Sequence, residues 1–168
     1  MSMDFLKQLG LFVVFVLIQT MVLGRIHLFD YATPLLYVYF VAMFPRNYPK
    51  WAILLWSFAL GLTIDIFSNT PGLAAASLTL IGAIQPYFFE LFVPRDSVGD
   101  LRPSIRNIGM LKYTYYIFPL VVLYCLVFFS LEAFNFFNWV DILKSVCGSA
   151  FITLVLIMTF ESVSGSKA

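Results

Sequence analysis

The chain has 168 residues, 61% of them hydrophobic, 18% aromatic and 11% charged, with a mean hydropathy of +0.92. Soluble domains carry about 25% charged residues. One of this length has too little interior to hide so much apolar surface, so an ordinary soluble domain is excluded and lipid is the expected solvent.

A spanning helix needs about 20 predominantly apolar residues. In chain order such runs are predicted at 5–23, 51–67, 72–93, 113–131 and 142–160. A weaker candidate lies at 26–44, where Asp30 and Pro34 interrupt it. Its strongest part, 35–44, is too short to cross without tilt or the segment before it, so a broken or partly re-entrant second span is expected. The first run carries Asp4 beside Lys7 and is followed by no small-x-small cleavage site, so it reads as a mature helix rather than a signal peptide. No repeat or flexible linker divides the chain, and 1–168 reads as a single polytopic membrane domain.

The fold class expected is an all-α integral membrane protein with six transmembrane helices and both termini in the cytoplasm. Basic residues favour that orientation. Lys7, Arg46, Lys50, Arg95, Arg102, Arg106, Lys112 and Lys167 fall inside, against Arg25 and Lys144 outside. The outer loop at 132–141 is acidic and aromatic, and its Phe134, Phe136, Phe137 and Trp139 suit an interface anchor, with partner docking as the other use. In the inner loop, Leu101, Ile105, Ile108 and Leu111 recur at helical spacing among Arg102, Arg106 and Lys112, and Pro103 is placed to open a helix. A short basic amphipathic helix on the membrane surface is one reading of this loop; a plain topology-setting basic loop is the other.

Signs of catalysis are sparse. The single histidine, His27, forms no metal pair, and there is no HExxH, CxxC, Walker loop or dinucleotide fingerprint. Asp65 and Glu90 belong to opposite ends of their spans and make a poor acid pair. Cys125 and Cys147 both read as small buried apolar residues. The chain is therefore expected not to be an enzyme, with no catalytic residue, metal or cofactor and no nucleic-acid partner. Intramembrane polar residues are functional suspects by default. Gln19, Asp65, Asn69, Gln85 and Glu90 are the candidates, the last four for a partner surface or an outward cavity, and Pro86 is expected to kink the fourth span.

The stretch GLTIDIFSNTPGLAAAS, 61–77, reads as a tight outer hairpin. Asn69 or Thr70 is placed to cap the returning helix, and Pro71 suits its first turn. Gly61, Gly72 and Ala75 supply the small surfaces that let helices approach closely in lipid. Asp65 is not needed for the turn. It stands where it can accept from the exposed N–H groups that open the next helix, or else meet a partner or ligand.

This region resembles the signature of the bacterial rod shape-determining protein MreD family, in which roughly G-L-x-x-D-x-x-S-x-x-P-x-G lies at the junction of two spans. Gly61, Leu62, Asp65, Ser68, Pro71 and Gly72 carry the resemblance, with a shorter Pro-to-Gly spacing here. By motif it covers only 61–80; the remainder agrees in length and order of spans. The resemblance implies a non-enzymatic membrane scaffold of the cell-wall elongation machinery in the bacterial inner membrane. Its partners would be MreC, with RodA, its penicillin-binding transpeptidase, the MreB filament and membrane lipids around it. Small-residue faces leave self-association open. The resemblance also implies a fold similar to the S-components of energy-coupling-factor transporters, and a small-molecule-binding transporter subunit is the alternative function.

Overall fold

In lipid a helix exposes apolar side chains outward and keeps its few polar groups inside. The helix at Lys50–Ser68 does so: Trp51, Leu55, Phe58, Leu62 and Ile66 form an exposed stripe, while Ser57 and Asp65 are buried. The computed structural model describes residues 2–22, 34–97, 99, 101–133 and 138–165, and its regular structure is entirely helical over them.

Helix α1 is Ser2–Leu17, continued by a π-helical turn at Ile18–Val22. The others are α2 Val38–Ala42, α3 Lys50–Ser68, α4 Leu73–Glu90, α5 Ile105–Ile108, α6 Met110–Ala133 and α7 Trp139–Gly165. Four stretches are long and apolar enough to cross a membrane: Met3–Met21, Lys50–Ser68, Met110–Ala133 and Trp139–Ser164. With 18 residues, α4 is about 27 Å long, but Gln85, Pro86 and Glu90 dilute its apolar character and it is not one of the four. The chain is thus an all-α, multi-span candidate membrane protein with four apolar helices.

Both basic loops meet at one end of the bundle, where the Arg46 N–H donates to Leu101 O at 3.1 Å. The start of α1 lies at that same end, because Phe5 packs on Trp56 near the start of α3. So does the end of α7, where Glu161 binds Ser104. By the orientation expected from the basic residues this would be the inner end, and it is called so below. The α3–α4 hairpin is at the other.

The segment 34–44 is the centre of the molecule. Every residue from Leu35 to Ala42 is buried, as is Phe44. Only Val38–Ala42 is helical, and its flanking turns bond locally from Leu35 to Met43, so the peptide groups at the two ends of the segment need partners from elsewhere, and apolar surroundings make an unmet one costly. The surrounding helices supply them. Gln19 donates to Pro34 O at 3.0 Å, and the Leu35 N–H donates to Thr153 Oγ1 at 3.1 Å. Tyr116 donates to Ala42 O at 3.0 Å, and Gln85 to Phe44 O at 3.3 Å. In between, the Tyr37 and Tyr124 hydroxyls bond each other, and Tyr39 donates to Glu161.

These partners are ordered in depth. Thr153 and Glu161, which hold Leu35 and Tyr39, are about 12 Å apart along α7. The described part of the expected second span therefore passes through the bundle towards the end where the basic loops meet, as a short helix at Val38–Ala42 flanked by turns; its residues 26–33 lie outside the described set. Aromatic rings fill the space around it, with Phe15 edge-on to Phe40 at 6.1 Å and Phe40 edge-on to Phe44 at 5.4 Å.

The inner loop departs from expectation. Helix α5 has only four residues. Ser104 is its N-cap, so Pro103 precedes the helix, and Gly109 at φ +91° ends it. Leu111 and Lys112 belong to the first turn of α6, and a continuous amphipathic helix does not form. Cys147 also differs: Cys125 is buried, but Cys147 is exposed on α7. Helix α4 runs unbroken through Pro86.

Candidate functional site

Asp65 sits one turn before the end of α3 and is buried. Its Oδ1 accepts from the Ala74 N–H at 2.9 Å and from the Thr70 hydroxyl at 2.9 Å, and its Oδ2 accepts from the Ala75 N–H at 2.9 Å. The start of α4 has no side-chain cap of its own, because its N-cap residue is Gly72. The cap comes instead from the preceding helix, and its charge suits the positive end of the α4 dipole. This is the N–H-accepting role open to Asp65 from its position in the sequence.

The turn itself is built differently from expectation. Thr70 donates to Asp65 rather than accepting from α4. Asn69 closes α3 in the left-handed region at φ 58°, with its N–H on Asp65 O. Pro71 stands two residues before the helix begins at Leu73, and Gly72 takes φ +83°, which an L side chain rarely adopts. These two positive-φ residues reverse the chain within Asn69–Gly72.

Gly61 sets how closely the two helices pack. A Cβ added there would lie 2.5 Å from Ala75 Cα and 2.7 Å from Ala74 O. Only the absent side chain permits this contact, and it holds α4 where Asp65 can reach its N–H groups. Gly61, Asp65, Pro71, Gly72 and Ala75 thus converge on one hairpin. On its outer face, Phe58, Leu62, Ile66, Asn69, Pro71 and Ala76 line an open apolar groove of about 540 Å³.

The other candidates lie elsewhere. Gln85 is buried in mid-bundle, donating to Phe44 O and at 3.0 Å to the Tyr116 hydroxyl. Its polarity serves the clamped segment, and it does not line the hairpin groove. Glu90 is the exposed last residue of α4. Arg95, Arg102, Arg106 and Lys112 are exposed around the inner end. The loop residues Phe134, Phe136 and Phe137, and His27 with Arg25, lie outside the described set.

Sequence reasoning missed Glu161. This carboxylate is buried in the last part of α7. It accepts from Tyr39, from the Ser104 hydroxyl at 2.6 Å and from the Ile105 N–H at 3.3 Å. It therefore fixes α2, α5 and the inner loop to one helix. Its signal was an acid at the end of an otherwise apolar run, which also fits a solvated membrane boundary.

Between α1, α3, α4, α6 and the segment before α2, the hairpin end of the bundle encloses a cavity of about 310 Å³. Gln19, Tyr37, Ser68, Thr70, Phe128 and Glu132 are among its walls. Of the polar candidates read from the sequence, Gln19 lines this cavity, whereas Asp65 and Asn69 line the groove on the hairpin. Among the described residues no group of His, Cys, Asp and Glu side chains has the geometry to hold a metal ion. Compared with family models, with curated proteins and with solved structures, the chain matches none of them.

Proposed function

We propose that this protein is a non-enzymatic membrane scaffold of the MreD kind, serving the cell-wall elongation machinery of the bacterial inner membrane by binding MreC. The observation that carries the reading is the hairpin. The residues of the resemblance are joined in one element, in which Asp65 caps α4 and Gly61 seats Ala75. Every one of the carboxylate's hydrogen bonds found among the described residues is spent on holding shape, a use that suits a scaffold. The groove beside it offers an apolar face for a partner helix, and the exposed basic inner loop suits a filament or anionic lipid. The six-span architecture with both termini inside belongs to this proposal.

A second reading, a small-molecule-binding subunit of a membrane transporter, draws on the cavity of about 310 Å³ at the hairpin end. Affinity purification from native membrane in mild detergent, with mass spectrometry of proteins and metabolites, separates the two. Recovery of MreC with RodA or its transpeptidase is the expected result. Recovery of an ATPase with transmembrane coupling subunits overturns the scaffold in favour of the transporter.

A further inference from the structure

The segment at 102–112 has two sides. Ile105 and Ile108 pack against the core, and Ser104 ties the segment to Glu161. Arg102, Arg106, Met110, Leu111 and Lys112 are exposed. These positions hold three cations and no acid. Arg46 joins them, because its N–H donates to Leu101 O, and its side chain is exposed too. Arg46, Arg102 and Lys112 have no side-chain partner among the described residues. The exposed acids described at this end, Asp4, Glu90 and Asp96, belong to α1, α4 and the turn after α4; Asp100 lies outside the described set. Beside the segment an open groove of about 280 Å³ is lined by Ile105, Met110 and Met158, with Arg106 in its wall. Glu161 also borders it, but its oxygens are taken up by Tyr39, Ser104 and Ile105.

Depth decides the partner. Met110 opens a stretch long and apolar enough to cross a membrane, Met110–Ala133, so Lys112 stands in the first turn of a span. Lys50 and Trp51 hold the matching place at the start of α3, where Trp51 is 70% exposed and the Lys50 ammonium lies 4.1 Å from the centre of the Tyr87 ring. Aromatic and basic side chains at the ends of spans sit at the level of the lipid headgroups. Phosphates are the anions found there, and acyl chains begin just beneath them. Met110 is 64% exposed and Leu111 76%, and apolar side chains interleaved with cations satisfy both layers. A filament or other soluble partner meets the cations from the water side and has no use for Met110 and Leu111 at that depth. We propose that the surface formed by Arg46, Arg102, Arg106 and Lys112 binds the phosphate of an anionic phospholipid, with Met110 and Leu111 set among its acyl chains. The inference commits the basic loop to lipid. It rests on the membrane-spanning character of the chain, and its failure leaves the docking of MreC at the hairpin untouched.

The test places the full chain in nanodiscs of phosphatidylglycerol and phosphatidylcholine in equal parts. Native mass spectrometry then counts the lipids that stay bound on release. Each cation near the headgroups favours anionic lipid about fivefold, so the wild type is expected to retain phosphatidylglycerol over phosphatidylcholine by about tenfold or more. Arg102→Gln with Lys112→Gln should cut that preference about fivefold or more. Both side chains are exposed, so the fold should persist; Arg106 is engaged within the protein and is left in place. Lys7→Gln with Arg95→Gln removes the same charge from the same end and should leave most of the preference. Equal retention of the two lipids by the wild type overturns the proposal. So does a preference that survives unchanged in Arg102→Gln/Lys112→Gln, or one that falls equally in the control pair, which would mean diffuse charge rather than this surface. A photo-crosslinking residue at Met110 in native membrane gives an independent readout. Lipid adducts are expected, and protein adducts alone overturn the lipid in favour of a protein partner.

Discussion

Asp65 and Ala75 hold the hairpin together through opposite sides of the same helix junction: the carboxylate takes the Ala75 N–H at 2.9 Å, while the Ala75 backbone rests on the bare Cα of Gly61. The two contacts depend on each other. Without close packing the carboxylate does not reach the N–H groups, and without the carboxylate the first turn of α4 has unmet donors buried beside α3.

Asp65→Ala leaves the Ala74 and Ala75 N–H groups and the Thr70 hydroxyl without their acceptor. The expected loss is about 2–4 kcal/mol. Asp65→Asn keeps one acceptor oxygen and should lose about half as much. Thermal unfolding of the purified variants in mild detergent gives the order directly.

Gly61→Ala and Gly82→Ala form a contrasting pair. At 61 the new Cβ meets backbone atoms of Ala74 and Ala75, which no side-chain rotation relieves. At 82 it meets Ser57 Oγ at 2.5 Å. Overpacking of this kind costs about 1–3 kcal/mol, and Gly61→Ala should fall at the upper end. Adding Ser57→Ala should restore part of the loss at 82, whereas Ala75→Gly should restore little at 61. Unfolding midpoints of the single and double variants test this.

How much of this was legible in the sequence differed from residue to residue. Asp65 was readable because its partners are five to ten residues away, within one turn. The four apolar helices were readable because span length and composition are local properties. The bonds of Gln85 were not legible, because its partner Phe44 is 41 positions away and nothing local shows that a backbone carbonyl there lacks a donor. Glu161 was missed for the same reason, since Tyr39 is 122 positions away. In both cases the long-range partner belongs to one buried segment that carries only a short helix.

Gln85 and Tyr116 act on that segment as a unit. Tyr116→Phe removes the donor to Ala42 O and the acceptor for Gln85; Gln85→Met removes the donor to Phe44 O. Each should cost about 1–3 kcal/mol. The double variant should cost less than the sum, with a coupling of at least about 0.5 kcal/mol. Strict additivity would mean that the two groups serve separate purposes.

Glu161→Ala releases the Ser104 hydroxyl and the Ile105 N–H from α7. Local opening of the inner loop should become about 10- to 150-fold more frequent, from the loss of hydrogen bonds to a charged group worth about 1.5–3 kcal/mol. Trypsin cleavage after Arg106 in open membrane fragments should accelerate by a similar factor, while the helices stay protected.

The claim that the hairpin is the docking element of a scaffold is tested most directly by placing a photo-crosslinking residue at Leu62, in the groove, and separately at Phe151, on the exposed face of α7, in native membrane. The account predicts a protein adduct from Leu62, identified as MreC by mass spectrometry, and lipid adducts from Phe151. Lipid adducts alone from both positions would contradict it.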